Sequence, residues 1–157
     1  MKILCIGHSS WDITVPADVY PVENTKYRFN EKYSCGGGPA GNAAYLLGKW
    51  GIDTVIASNV GSDDFGAKIK KEFQSVGVNT EYLETSYDKD TSLSFILINK
   101  NTGSRTVFNV ATEHPALKKF SYDFTPDIIF TDGHDYAATQ NAISKFPNAL
   151  TVIDAGR

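Results

Sequence analysis

The stretch that decides the fold is Cys35-Gly36-Gly37-Gly38-Pro39-Ala40-Gly41-Asn42-Ala43-Ala44, in which three consecutive glycines precede a proline. Pro39 suits the first turn of a helix, because the N–H that proline lacks would have no partner there. Ala44 and Gly48 then fall on one face at helical spacing, and Gly51 is a typical residue just past a helix end. The stretch therefore predicts a glycine-rich turn that opens a helix.

Glycines with this spacing have three interpretations. The pattern Gly36-x-Gly38-x-x-Gly41 matches the dinucleotide-binding fingerprint of oxidoreductases. That fingerprint needs a hydrophobic strand directly before it, and residues 30–34 are polar. The glycines could instead let a helix pack closely without any ligand. Alternatively, backbone N–H groups at the helix start, with Asn42 one turn further, would suit an oxygen-rich ligand. The residues alone leave the last two interpretations open.

Outward from this turn, the sequence alternates short apolar strands with amphipathic helices. Strands are predicted at residues 2–7, 54–57, 127–131 and 150–154, and further helices at 65–76 and 135–146. In the first of these helices Phe65, Ile69 and Phe73 recur on one face. This alternation predicts an α/β domain with a mainly parallel sheet covered by helices on both faces.

Two stretches break the alternation. Residues 16–34 carry no helical stripe, and residues 92–98 and 105–110 flank a glycine-bearing loop, which is typical of a β-hairpin. Residues 11–15 are predicted to continue the first strand beyond a kink. We expect a small separate sheet, and hence an α/β core of residues 1–15, 35–89 and 112–157 with β insertions at 16–34 and 90–111.

Composition excludes several classes of protein. The 157 residues are 41% apolar, which suffices for one folded domain, and 15 Lys+Arg against 18 Asp+Glu give a net charge of −3. No basic run exceeds two residues, so we expect no nucleic-acid partner. No apolar run approaches the ~20 residues that cross a bilayer, so we expect no membrane association. Two cysteines and three histidines without metal-ligand spacing predict neither a disulfide scaffold nor a metal site. These features predict a cytoplasmic protein.

The glycine-rich stretch is part of a longer signature. Gly37 to Ala44, six residues, Gly51, nine residues and then Gly61 resembles the N-terminal signature of the ribokinase-like sugar kinases, the PfkB family. The turn Gly61-Ser62-Asp63-Asp64-Phe65-Gly66 is similar to that family's next motif, and Ile6-Gly7 followed by Asp12 resembles its first strand and substrate-binding aspartate. A signature of about 25 residues is far more specific than a glycine triad.

The resemblance implies a ribokinase-like, Rossmann-type parallel sheet with the small sheet as a lid over the substrate. It also implies an enzyme that transfers a phosphoryl group from ATP to a sugar hydroxyl, with Mg²⁺ arriving on the nucleotide. Asp12 and Asn42 would bind sugar hydroxyls, and Gly37 and Gly38 would offer backbone to the sugar. From the residues alone, Asp12 could instead cap a turn, and Asn42 could make a local hydrogen bond at the helix start.

Two further positions follow from the resemblance. Arg105, in the predicted hairpin, is similar to a lid arginine that approaches the nucleotide phosphates, although a solvated surface charge explains it equally well. Asp132, at the end of a predicted strand, occupies a position where several members of the family place another sugar contact. A homodimer formed through the lid is a further expectation.

The sequence lacks two motifs that phosphoryl transfer uses. It contains no Gly-x-x-x-x-Gly-Lys-Ser/Thr loop and no Gly-Ala-Gly-Asp, the family motif that carries the anion hole and the catalytic base. Members of the family are roughly twice as long, near the size at which a single core stops growing. We therefore expect a truncated N-terminal portion that holds the sugar-binding side and the lid, with no catalytic residue and no activity alone. The alternative is a short form that binds a sugar or a partner without catalysis.

Overall fold

The computed structural model describes residues 1–118 and 121–156; residues 119, 120 and 157, which the predicted core range includes, lie outside the described residues. The strands are β1 (Lys2–Ile6), β2 (Ser10–Ala17), β3 (Tyr33–Gly37), β4 (Asp53–Gly61), β5 (Asn79–Ser86), β6 (Leu93–Asn99), β7 (Arg105–Val110), β8 (Ile128–Thr131) and β9 (Leu150–Ile153). The helices are α1 (Pro39–Lys49), α2 (Asp64–Ser75) and α3 (Tyr136–Lys145).

Five strands form a parallel sheet in the order β5-β4-β1-β8-β9. Side chains of β1 alternate between its two faces, as the pleat of a strand requires. Ile3 and Cys5 pack into a core that includes residues of α1 and α2, whereas Leu4 and Ile6 pack into a second core that includes Ala138 of α3. The predicted α/β architecture, with a parallel sheet covered on both faces, is confirmed.

The other four strands form a small mixed sheet in the order β3-β2-β6-β7. β6 and β7 are the predicted hairpin, paired antiparallel across a turn that contains Gly103. β2 pairs antiparallel with β3 and parallel with β6. We call this four-stranded sheet the lid, and its presence beside the parallel sheet confirms the predicted second sheet.

Two predicted boundaries of the lid are wrong. Residues 11–15, predicted to continue β1, belong to β2 in the lid, because Gly7, with a φ of +147°, redirects the chain after β1 and the residues beyond it pair with β3 and β6. Residues 35–37, assigned to the core, lie in β3 of the lid, while residues 18–32 form no strand. The lid therefore reaches the glycine-rich turn itself.

One strand escaped prediction. β5 is an edge strand of the parallel sheet, and its first half is the polar run Asn79-Thr80-Glu81. Only Tyr82, Leu83 and Ser86 are buried, so the strand lacks the apolar run that identifies β1 and β4. Within the described ranges, no helix is long and apolar enough to cross a membrane.

Candidate functional site

An open cleft of about 890 Å³ lies between the parallel sheet and one face of the lid. From the core it is lined by the residues that follow β1 and β8, which are neighbouring strands whose carboxyl ends meet at the same edge of the sheet. From the lid it is lined by alternate residues of three strands. These are Ser10 and Asp12 of β2, Ser94 and Ile96 of β6, and Arg105, Val107 and Asn109 of β7.

Asp12 presents a carboxylate to this cleft from β2. The Ser10 hydroxyl donates to its Oδ1 at 3.1 Å, and the side chain is half-buried. Gly37 lies beside Asp12 on the neighbouring strand, where a Cβ would collide with the carboxylate. Gly37 therefore contributes space for Asp12, and the carboxylate can accept hydrogen bonds from hydroxyl groups in the cleft.

Gly38 joins the lid to α1 and lines the same cleft. The backbone N–H groups that follow it are already satisfied within the protein: Ala40 N–H donates to Asp132 Oδ2 at 3.0 Å, and Gly41 N–H donates to the carbonyl of His8 at 3.1 Å. The helix start is therefore capped from within, so these two N–H groups are not available to a phosphate or another ligand.

The dinucleotide interpretation of the glycines is wrong. The strand directly before them, β3, belongs to the lid and pairs antiparallel with β2, whereas the fingerprint requires a strand of the parallel sheet. The N–H groups that would hold a pyrophosphate at this helix start are the ones already bonded to Asp132 and His8.

Asp132 lies behind the wall of the cleft. Its side chain is only 1% exposed. Its Oδ2 accepts from the N–H groups of His8, at 2.9 Å, and Ala40, and its Oδ1 accepts from the N–H of His134 at 3.1 Å. This carboxylate joins the ends of β1 and β8 to the start of α1, and the geometry offers it no direct contact with a bound sugar.

Asn42 does not line the cleft. It is exposed on the second turn of α1 and lines a smaller pocket of about 260 Å³ between β3, α1 and α2, together with Gly37. The structure thus brings Asp12, Gly38 and Arg105 together at the cleft. A sugar contact by Asn42 stays a prediction.

Arg105 is the first residue of β7, and its exposed side chain lines the cleft opposite the core. A guanidinium group in this position suits a carboxylate or phosphate oxygen. Over residues 1–118 and 121–156, no group of three or more His, Cys, Asp or Glu side chains is arranged to hold a metal ion.

All three histidines of the chain line the cleft, which the sequence did not indicate. The rings of His8 and His134 stack with their centroids 4.7 Å apart. Burial lowers the pKa of His8, and the nearby His134 lowers it further; burial also lowers the pKa of His114. The one feature of the sequence that could have identified His8 and His134 as cleft residues is their position, because each follows a strand and the two strands are neighbours in the sheet.

Solved structures share this fold. The nucleoside kinase from Methanocaldococcus jannaschii is 22% identical, with a TM-score of 0.75 over 99% of this chain and 52% of that one. A ribokinase from Giardia lamblia is 16% identical, with a TM-score of 0.81 over 97% of this chain and 50% of that one. Both show that the chain has the ribokinase fold.

Curated relatives point in the same direction. The ATP-dependent ribose-1-phosphate kinase of Halopiger xanaduensis is 28% identical over 98 residues, which are 62% of this chain and 33% of that protein. The ketohexokinase of Mus musculus is 27% identical over 114 residues, which are 73% of this chain and 38% of that protein. The chain thus spans little more than a third of the length of these relatives.

The family model of the pfkB family carbohydrate kinases matches residues 1–126. That match covers β1 to β7, including the glycine-rich turn, the lid and Asp12. The chain therefore belongs to the pfkB family of carbohydrate kinases.

Proposed function

We propose that this chain forms the sugar-binding side and the lid of an ATP-dependent kinase that phosphorylates a sugar hydroxyl. The observation that carries the proposal is the Asp12 carboxylate, which faces a cleft closed on its other side by Gly38 and the ends of β1 and β8. A carboxylate is well suited to accept hydrogen bonds from adjacent sugar hydroxyls.

The residues divide the work between the two walls of the cleft. Asp12 orients the acceptor sugar from the lid, while Gly38 offers its backbone to the sugar from the opposite wall. The lid covers the sugar and excludes water, which would otherwise compete as the phosphoryl acceptor. Arg105 lies on the lid with its guanidinium free to approach an anionic phosphate.

ATP supplies the transferred phosphoryl group when it is bound. Arg105 was predicted to contact the nucleotide, and it lies at the cleft. A single arginine fits a contact to a phosphate and not a complete nucleotide site. We assign Mg²⁺ to the nucleotide, because proteins usually bind this ion through one or two carboxylates together with the phosphates of the substrate. We propose that the 157 residues alone carry no sugar-dependent ATP turnover.

The acceptor class rests on the chain's relatives. Ribose-1-phosphate, nucleosides, ribose and ketohexoses appear in their names, so these are the compounds to test.

A cytoplasmic location and a homodimer through the lid stay predictions. The proposed homodimer is supported by apolar side chains of the lid that are exposed in a single chain, namely Phe95, Phe108 and Val110.

Titration calorimetry with ribose, fructose, ribose 1-phosphate and adenosine tests the proposed function. We expect heat of binding for at least one of them, and an affinity about tenfold lower or more for Asp12→Asn, because a hydrogen bond to a charged group is worth roughly 1.5–3 kcal/mol. Asp18→Asn is the matched control, since Asp18 lies outside the cleft and pairs with Lys100 at 2.8 Å.

Absence of binding for all four compounds would contradict the proposal, as would equal affinity for the parent and Asp12→Asn. Circular dichroism of each variant establishes that the comparison is made between folded proteins. A coupled assay for ADP release, run with the sugar that binds, measures turnover. Sugar-dependent turnover by these 157 residues would contradict the proposed division of the site.

A further inference from the structure

The chain crosses between the core and the lid four times. The four connections lie between β1 and β2, between β3 and α1, between β5 and β6, and between β7 and β8. Asp12 lies on the lid, and the residues that face it across the cleft follow β1 and β8 of the core. The width of the cleft therefore depends on how these four connections are held.

Asp63 holds the connection that leads into β6. Its Oδ1 caps α2 by accepting from Gly66 N–H at 2.8 Å, and its Oδ2 accepts from Thr91 N–H at 2.8 Å. The Thr91 hydroxyl adds a third bond, to Oδ1, at 2.7 Å. Asp63 itself follows β4 and does not line the cleft. Any effect of this carboxylate on a bound sugar must therefore act through the position of the lid.

Asp135 holds the connection that leaves β7, and it uses its two oxygens in the same way. Its Oδ1 caps α3 by accepting from Ala138 N–H at 2.8 Å, and its Oδ2 accepts from Leu117 N–H at 2.8 Å. Leu117 is buried, so water has little access to compete for this bond. Asp135 lines the cleft, but each of its oxygens already accepts a backbone N–H.

The other two connections converge on a third carboxylate. Oδ2 of Asp132 accepts from His8 N–H, between β1 and β2, and from Ala40 N–H, directly after the connection between β3 and α1. All four connections are thus bound through backbone N–H groups to aspartates that follow β4 or β8 of the parallel sheet. Hydrogen bonds to a charged acceptor are stronger than those between neutral groups, so these bonds suit a fixed attachment.

We propose that Asp63 and Asp135 are positioning residues, which hold the lid at the distance from the core at which one sugar contacts both walls of the cleft. Their carboxylates act through the backbone of Thr91 and Leu117 and not on the sugar. This inference rests on the proposed function, because the sugar is the one bound at Asp12. Without these bonds the lid occupies the binding position for only a fraction of the time, and the apparent affinity for sugar falls by that fraction.

The variants Asp63→Asn and Asp135→Asn separate the attachment of the lid from the capping of the helices. Asparagine caps helices about as well as aspartate, but its amide has one acceptor oxygen where the carboxylate has two. The variants therefore cannot cap the helix and hold the lid in full. In titration calorimetry we expect each to bind sugar about three- to tenfold more weakly, which corresponds to a lid in position for about a third to a tenth of the time.

Asp127→Asn is the matched control for both variants. Its carboxylate also accepts from a backbone N–H, that of Lys2 at 2.6 Å, but this bond lies within the core. Asp127 lies outside the cleft. We expect this variant to bind sugar with the affinity of the parent.

A second measurement reports the position of the lid and requires no sugar. Residual dipolar couplings of backbone N–H groups in a weakly aligned sample give the orientation of each sheet. In the parent and in Asp127→Asn, one alignment tensor should fit the parallel sheet and the lid together. In Asp63→Asn and Asp135→Asn we expect smaller couplings for the lid than that tensor gives. A loss of stability alone would leave a single tensor, because the folded molecules would keep the same arrangement of the two sheets.

The outcomes distinguish this inference from the proposed function. If the parent binds sugar and both asparagine variants bind it within twofold, the positioning role is overturned and the proposed function stands. A single tensor for both sheets in both variants also overturns the positioning role, whatever the affinities. If the parent binds no sugar, the proposed function fails and the inferred effect on affinity fails with it.

Amide hydrogen exchange in the parent decides the point if neither variant folds. We expect the N–H groups of Thr91 and Leu117 to exchange slowly, because each is buried and bound to a carboxylate. Exchange as fast as that of the exposed turn at residues 101–104 would overturn the attachment of the lid by these aspartates.

Discussion

Gly38 is the residue at which the lid and the core meet. Its φ of +84° is in the region that favours glycine, and a Cβ there would lie 2.9 Å from the carbonyl carbon of His8 and 3.0 Å from Cα of Ser9. These neighbours are backbone atoms of the segment between β1 and β2, so they cannot move aside as a flexible side chain would. Glycine is therefore required by both conformation and space.

Gly38→Ala is expected to destabilise the protein by about 2–4 kcal/mol, because positive φ costs about 1–2 kcal/mol and the backbone conflict adds to it. Gly51→Ala is the matched control: its φ is +76°, but no atom lies within 4 Å of the added Cβ. We expect it to cost only about 1 kcal/mol. Urea unfolding measures both, and equal losses would contradict the role of Gly38 as a close contact.

At the scale of the elements, Asp63 joins the start of α2 to the segment just before β6. Its Oδ1 accepts from Gly66 N–H at 2.8 Å and from the Thr91 hydroxyl at 2.7 Å, and its Oδ2 accepts from Thr91 N–H at 2.8 Å. Gly61 N–H completes the junction by donating to the Thr91 hydroxyl at 2.9 Å. One carboxylate thus caps α2 and anchors the segment just before β6.

Asp63→Ala is expected to cost about 2 kcal/mol at pH 7, since it removes both a helix cap and hydrogen bonds to a charged group. Burial alone would raise the pKa of Asp63, but the hydrogen bonds from Gly66 and Thr91 outweigh it and the pKa is lowered. The stabilisation is thus fully present above the unfolded pKa of about 3.9 and is lost as the pH falls through the lower folded pKa.

Asp64→Ala is the matched control for that variant, because Asp64 is the exposed neighbour in the first turn of α2. Urea unfolding at several pH values should show a larger loss for Asp63→Ala, with the difference shrinking in acid. An equal loss for both variants at pH 7, or a difference that grows as the pH falls, would contradict the account of this junction.

Elements with a strong local pattern were predictable from the sequence. β1, β4, α1, α2 and the β6–β7 hairpin have apolar runs, periodic faces or turn residues that identify them. β5 was missed because an edge strand can be polar along half its length. The assignment of β2 to the lid depends on pairing with β6, about eighty residues along the chain, which no local pattern contains.

The site was predictable to a lesser degree. Asp12 and Gly38 belong to a recognisable signature, and both line the cleft. Asp132 was assigned as a sugar contact because its position at a strand end suits one, but only the packing shows that its carboxylate is buried. His8 and His134 are far apart in the sequence, and they meet because β1 and β8 are neighbours in the sheet.

At the scale of the whole molecule, the cleft exists only because two sheets face each other. The parallel sheet contributes the residues after β1 and β8, and the lid contributes Asp12 and Arg105. A sugar held between these walls must perturb both sheets at once. This joint response is the property that distinguishes a sugar-binding cleft from a surface groove on either sheet alone.

The most direct test of the central claim is a map of backbone amide chemical shifts during titration with the sugar that binds in calorimetry. The largest shifts are expected at Asp12, Gly38 and His134, on both walls of the cleft, with none at Tyr45 and Glu72, which line the smaller pocket. The same titration of Asp12→Asn should require about tenfold more sugar for equal shifts. Shifts confined to the smaller pocket, or to one wall of the cleft, would contradict the account.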